Sequence, residues 1–271
     1  MLFALLFTIS QPDLVDGEVK RLATDMKFTE GPAADGKGNV FFTDIPNNRI
    51  MKWDGKELSV FRENSGGANG LKLDKAGNLY ACEGGGRRVV KIAPDGSVSA
   101  LAERFEGKRL NSPNDLCFDA KGGIYFTDPR YGKRDDLELD KEAVYYIPPG
   151  GGALLRVADD LTRPNGIHAD GERLYVADAG AKKTWVYGMN PDGTLKDKKL
   201  FAESGSDGLK VDEKGNVYLT SGGVRIYDRE GKHLGTIQVP EGPSNLAFDG
   251  KTLYITARTS LYRVPMKVAG N

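Results

Sequence analysis

One six-residue phrase recurs six times in this chain, and its first position always carries a side-chain oxygen. In order, the copies are Glu30-Gly-Pro-Ala-Ala-Asp35, Asn69-Gly-Leu-Lys-Leu-Asp74, Asn114-Asp-Leu-Cys-Phe-Asp119, Asn165-Gly-Ile-His-Ala-Asp170, Asp207-Gly-Leu-Lys-Val-Asp212 and Ser244-Asn-Leu-Ala-Phe-Asp249. Each closing Asp leads into a short Gly-containing turn and then a β-branched or aromatic run, such as Asn39-Val-Phe-Phe-Thr-Asp44 or Gly123-Ile-Tyr-Phe-Thr-Asp128. The phrase heads are 39, 45, 51, 42 and 37 residues apart. That is the length of one four-stranded antiparallel blade with tight turns.

The expected fold is therefore all-β: a six-bladed β-propeller with four antiparallel strands per blade. In the first unit the strands read near 31–35, 39–44, 48–53 and 57–62, with Asn47-Asn48 and Asp54-Gly55 as turns. The sixth unit offers only three strands, near 245–249, 253–257 and 260–264. The segment Gly17-Glu-Val-Lys-Arg-Leu-Ala23 alternates like a strand and is expected to complete that unit, closing the ring and removing an exposed sheet edge. Six copies leave no room for a second fold, so 17–267 reads as a single domain, long enough to bury a core without staples.

Composition excludes some partners. Lys plus Arg and Asp plus Glu both number 38, so no basic surface for nucleic acid is indicated. Cys82 and Cys117 lie in different repeats without metal-type spacing; two buried free thiols are the reading, a disulfide the alternative. The start, Met1-Leu-Phe-Ala-Leu-Leu-Phe-Thr-Ile-Ser10, is apolar but too short to span a bilayer, and nothing else looks transmembrane. Residues 1–16 read as a signal or leader segment, which favours the periplasm or the outside of the cell over the cytoplasm; a first strand or a disordered lead is the alternative. The longest interval holds a charged insertion, Tyr131-Gly-Lys-Arg-Asp-Asp-Leu-Glu-Leu-Asp-Lys-Glu142, read as a solvated loop, with a partial lid over one face as the functional alternative.

In a propeller the innermost strand of each blade lines the central channel, so the phrase heads should ring the axis. Glu30, Asn69, Asn114, Asn165, Asp207 and Ser244 all offer hard oxygen and include no His or Cys. That set suits Ca2+, which takes six to eight oxygen ligands. Mg2+, Mn2+ or Zn2+ are the alternative occupants, although an all-oxygen set lacks the donors Zn2+ favours. The second position is Gly in four units, which permits close backbone approach or an unusual dihedral. Asn-Gly pairs are also ordinary turn formers, and the closing Asp of each phrase reads as a turn cap. A Glu at position 30 before Gly31-Pro32 is not a turn choice. Asp44, Glu83, Asp128 and Asp178 end the next strands, where bonding to loop amides is the structural role. Only His168 and His233 are present and no Gly-x-Ser-x-Gly elbow occurs, which disfavours a serine triad. His168 reads as a satisfied core residue, with a channel-lining acid–base as the alternative.

Thr29-Glu-Gly-Pro32, Asn111-Ser-Pro-Asn-Asp115, Tyr125-Phe-Thr-Asp-Pro129, Arg163-Pro-Asn-Gly166 and Ser206-Asp-Gly-Leu209, in this order, resemble the SMP-30/gluconolactonase/luciferin-regenerating family. The resemblance implies a six-bladed propeller with a divalent metal, usually calcium, in the channel, and hydrolysis of sugar-acid lactones or similar cyclic esters. It implies Glu30, Asn165 and Asp207 as metal ligands, with Asn114 beside the metal, and Asp207 as the general base. Asn114, Ser112, Glu83 and Asn69 are the candidate substrate contacts. Ser112 stands where some vertebrate members carry Arg, and Gly84 where many bacterial gluconolactonases carry His; both departures bear on recognition of the sugar acid, not on the metal. The expected reaction is metal-assisted opening of a small-molecule lactone. The alternatives are a non-catalytic calcium-stabilised propeller that binds a protein or glycan, and a propeller esterase or phosphotriesterase.

Overall fold

The structure, a computed structural model, describes residues 12–271. It is the expected six-bladed propeller of four-stranded antiparallel sheets. Blade I is Thr29–Ala34, Val40–Asp44, Arg49–Trp53 and Leu58–Glu63. Blade II is Ala68–Leu73, Leu79–Glu83, Arg88–Ile92 and Val98–Ala102. Blade III is Leu116–Phe118, Ile124–Asp128, Ala143–Ile147 and Leu155–Ala158. Blade IV is Pro164–Asp170, Arg173–Asp178, Lys183–Met189 and Leu195–Ala202. Blade V is Leu209–Val211, Val217–Thr220, Val224–Tyr227 and His233–Ile237. Blade VI is Pro243–Asp249, Thr252–Ala257 and Ser260–Pro265, and its outer strand is Lys20–Ala23, which closes the ring as expected.

The leader expected over 1–16 lies mostly outside the described residues. Residues 12–16 are described and pack on the body: Val15 bridges Met266, and Asp16 N donates to Pro265 O at 2.9 Å. At the other end Val268 is buried and Gly270 bridges Asp212. Both cysteines are buried and unbridged.

Among the described residues no apolar cluster surrounds the axis. Apolar residues form six clusters, one at each interface between neighbouring blades. Strand alternation explains this. Leu174 and Val176 face blade III, whereas Tyr175 and Ala177 face blade V. Blade faces are thus used up on each other, and the axis is left to the edges of the inner strands.

Those inner strands begin with a bulge in every blade. Glu30 to Ala33 spans three residues against two, Thr43 to Phe41, and the same slip occurs in blades II, IV and VI. In blades III and V, the first two phrase residues both bond the threonine opposite: Asn114 N and Asp115 O with Thr127, Asp207 N and Gly208 O with Thr220. A bulge sets two residues against one and interrupts strict alternation. Phrase positions one, two and four therefore mostly address the axis, while position three enters the interface core; Ala33 and Cys117 at position four also pack in the seams between blades.

The glycines at position two let adjacent inner strands touch. A Cβ on Gly166 would lie 2.6 Å from Asp207 O, and one on Gly208 would lie 2.2 Å from Asn245 Oδ1. Gly31 has the further requirement of a left-handed backbone, φ 49°. Thr43, Thr127 and Thr220 then donate their hydroxyls to the phrase heads of the next blades, Asn69 O, Asn165 O and Ser244 O, at 3.1, 2.8 and 2.8 Å. The closing Asp residues cap turns, as expected: Asp212 accepts from Lys214 N and Asn216 N, both at 2.9 Å.

Gly166→Ala should force blades IV and V apart at the axis and cost about 1–3 kcal/mol, read as a melting temperature lowered by about 2–4 °C per kcal/mol. The control is Gly242→Ala, whose Cβ would meet only Arg258 Nε at 3.6 Å and should shift stability by no more than about 1 kcal/mol. Equal losses in both variants would contradict the close-approach role.

Candidate functional site at the propeller axis

The bulges bring distant parts of the chain together. Asn165 Nδ2 donates to Asp207 Oδ1 at 2.7 Å, and the Glu30 and Asp207 carboxyls are within hydrogen-bonding reach of each other. Asn245 Nδ2 donates to Glu30 Oε2 at 2.9 Å and to Asp115 Oδ2 at 3.4 Å. Glu30, Asp115, Asn165 and Asn245 are buried, while Asp207 is half-buried.

Two members of this cluster, Asp115 and Asn245, are absent from the ring read off the sequence. They occupy phrase position two in the only units where that residue is not Gly, so the departure from Gly was the available signal. Ser244, expected in the ring, instead turns its hydroxyl into the seam between blades VI and I, donating to Thr29 O at 2.7 Å and Thr256 O at 3.0 Å. Asn114 is buried just ahead of the inner strand of blade III, and its side-chain amide has no hydrogen-bond partner among the described residues. Asn69 stands on its inner strand, and its buried Oδ1 has no partner among the described residues.

Ser112 and Glu83 stand apart from this network. Ser112 Oγ donates to Gly84 O at 3.3 Å, and Glu83 Oε2 is held by Arg88 Nε at 2.6 Å. Asp44, Asp128 and Asp178 take the structural role expected of them. Each accepts two backbone amides from the loop that leads into its own blade: Lys27 and Phe28, Asn111 and Ser112, Thr162 and Arg163. Burial nevertheless pushes Asp128 up to about 7, against those donors.

The charged insertion is not simply solvated. Tyr131, at its start, accepts from Asn165 Nδ2 at 2.7 Å, and the Arg163 guanidinium lies 5.1 Å from its ring centre. The remainder is tied down by Arg130 and Arg87 on Asp136 and by Arg134 on Glu142. His168 is not satisfied either: it is buried, and its Nδ1 has no partner among the described residues.

Electrostatics at the axis are unbalanced. Burial, then the Asp207 and Asp115 carboxylates, push the Glu30 carboxyl well above the usual range, against hydrogen bonds from Asn245 and Gly31. Burial pushes Asp207 up to about 6; the Asn165 amide opposes this, Asp115 adds to it, and Arg258 and the Glu30 hydrogen bond oppose it. Arg258 is exposed. Three carboxyls thus share a buried space with no buried cationic side chain bonded to them among the described residues. Such a group either keeps protons or takes a cation. The donors are all oxygen and so match a hard divalent ion in type, although among the described residues no three acidic side chains are already gathered as a cage.

Asp207 also opens on a cavity of about 400 Å3 between the upper ends of blades IV and V. Lys182, Ser204, Ser206, Ser221 and Arg225 contribute to its walls. A half-buried carboxylate at such an opening can meet a ligand, whereas Glu30 is closed in behind it.

Residues 28–259 match the family model for the SMP-30/Gluconolactonase/LRE-like region. A gluconolactonase of Zymomonas mobilis is 31% identical, with 94% of this chain and 83% of that protein covered. The diisopropyl-fluorophosphatase of Loligo vulgaris is 25% identical, with 87% of each chain covered. Among solved structures, a gluconolactonase from Xanthomonas campestris superposes with a TM-score of 0.87 at 32% identity, covering 96% of both chains. The chain belongs to the SMP-30/gluconolactonase/LRE-like family.

Proposed function

We propose that this chain is a metal-dependent hydrolase that opens the lactone of a sugar acid. The observation that carries this reading is the meeting of Glu30, Asn165, Asp207 and Asp115 at the axis, beside a polar cavity. The gluconolactonases among its relatives support the substrate class. Glu30, Asn165 and Asp207 would hold the ion, calcium in the first instance, with Asn114 beside it. When bound, the ion supplies Lewis-acid polarisation of an ester carbonyl.

The chain's own groups do the remaining work. Asp207 takes a proton from the attacking water, because it alone of the central carboxyls opens on the cavity. As the water oxygen bonds to the carbonyl carbon, the ring C–O bond breaks, and the departing alkoxide takes the proton back from Asp207. Asn114 has a free amide to donate to the carbonyl oxygen as it gains charge. Ser221 offers a partner for a sugar hydroxyl, since the Ser204 and Ser206 hydroxyls already donate to Gly205 O and Gly208 O, and Lys182 and Arg225 attract the carboxylate that ring opening creates. The Tyr131 hydroxyl fixes the Asn165 amide from above. The relative named diisopropyl-fluorophosphatase favours a second reading, hydrolysis at phosphorus by the same centre.

Asp207→Asn should lower kcat/KM on gluconolactone by about 100-fold or more while leaving the fold intact. Chelation should abolish the activity and calcium should restore it. Lactonase activity that survives both treatments would contradict the mechanism. A panel of lactones, aryl esters and phosphotriesters, run with metal added, should rank the lactones first.

The carboxyl pair also sets a pH dependence. A carboxyl raised on folding stabilises the protein while it keeps its proton. For Asp207 that stability is complete below the ordinary 3.8 and is lost as pH rises through about 6. Metal-free protein should therefore lose melting temperature as pH rises from about 4 to about 7. Calcium or Glu30→Gln should flatten the fall. A flat profile for the metal-free protein would show that the carboxyls are not mutually destabilising.

A further inference from the structure

The fourth position of the phrase defines a second ring, one layer deeper in the channel: Ala33, Lys72, Cys117, His168, Lys210 and Ala247. The bulge that turns the phrase heads inward turns these residues inward as well. Five of the six line a cavity of about 160 Å3 separate from the catalytic cleft. Its polar walls are Lys72, His168 and Lys210, from blades II, IV and V, together with the last residue, Asn271. Lys210 and His168 are more than nine-tenths buried, at 7% and 5% exposure.

No carboxylate pairs with either lysine among the described residues. Lys210 Nζ donates only to Leu209 O, at 2.9 Å, and Lys72 has no side-chain hydrogen bond there. His168 Nδ1 is buried and unpartnered. Burial, then Lys72 and Lys210, hold the His168 pKa well below its usual range, so the imidazole is neutral and keeps one N–H to give. Burial, then Lys210, lower Lys72 as well, against the opposing influence of Cys117 and the Asp115 carboxylate. Two ammonium groups in one buried cavity destabilise each other unless negative charge joins them.

We propose that this lower ring binds a small tetrahedral oxyanion of the sulfate or phosphate type, held by Lys72, Lys210 and His168. The volume is that of about five liquid waters, more than a halide requires. Donors arrive from three blades, and an oxyanion presents separate acceptors toward each of them. The bound ion would tie blades II, IV and V across the axis, so occupancy should register as stability.

The test uses calcium-loaded protein, with sulfate varied from 0 to about 10 mM and ionic strength held constant with potassium chloride. The melting temperature should rise saturably, by about 2 °C or more. Asp207→Asn should keep this response, and Lys210→Met and Lys72→Met should lose it. A shift that is linear in sulfate and equal in wild type and lysine variants is a general salt effect and overturns the proposal. A saturable response to chloride in place of sulfate overturns the oxyanion assignment. Crystals grown with selenate give a readout independent of folding in the variants: the selenium anomalous peak should lie between Lys72 and Lys210. A lower ring without that peak at saturating selenate would mean that the lysines balance the carboxylates above them, and would also overturn the proposal.

Discussion

A strand with strict two-residue alternation can offer only every second side chain to the axis of a propeller. The extra residue at the start of each inner strand relaxes that limit. Two successive side chains then face the channel, and after one core position a third faces it one layer deeper. Inner strands carrying such a kink crowd together, and in four of the six blades the second leading residue is Gly. Gly31, Gly70, Gly166 and Gly208 are each set against the backbone or the leading side chain of the next inner strand. The polar cluster at the axis is therefore a consequence of backbone packing. Where the small residue is replaced, by Asp115 and Asn245, its side chain adds to the polar cluster.

The channel is layered by charge. Glu30, Asp115 and Asp207 occupy the upper level, and Lys72 and Lys210 stand three residues farther along their phrases. Because the apolar clusters sit between blades and not around the axis, none of these groups shares a core with the residues that hold the blades together. Strong local fields can be maintained there without breaking the interfaces. This separation gives the catalytic reading its physical plausibility: carboxyls that repel one another in a buried space are poised to exchange protons for a cation.

The six-blade ring, its closure by Lys20–Ala23 and the turn-capping role of the closing Asp residues were legible in the sequence, because each depends on period and turn chemistry alone. Glu30, Asn165 and Asp207 were legible as a convergent set because one repeat position lands at one place in every blade. Ser244 was misplaced for a packing reason: its short hydroxyl finds Thr29 O and Thr256 O in the seam before it can reach the axis. Asp115, Asn245 and the lysines of the lower ring went unread because a bulge is a tertiary adjustment with no period of its own. Tyr131 went unread because its loop is an insertion, and the repeat gives no register for it. Glu83 carries the same strand-end position as Asp128 but pairs with Arg88, a partner that only the fold reveals.

Calcium titration of chelated protein at pH 6, followed calorimetrically in two buffers of different ionisation enthalpy, measures ion and proton together. Carboxyls that keep protons only because they are crowded must release them when an ion takes their place. One ion bound per chain, with about one proton released, is the result expected of Glu30 and Asp207 at a shared cation. Binding without proton release, or no saturable binding at all, would contradict a metal centre at the axis.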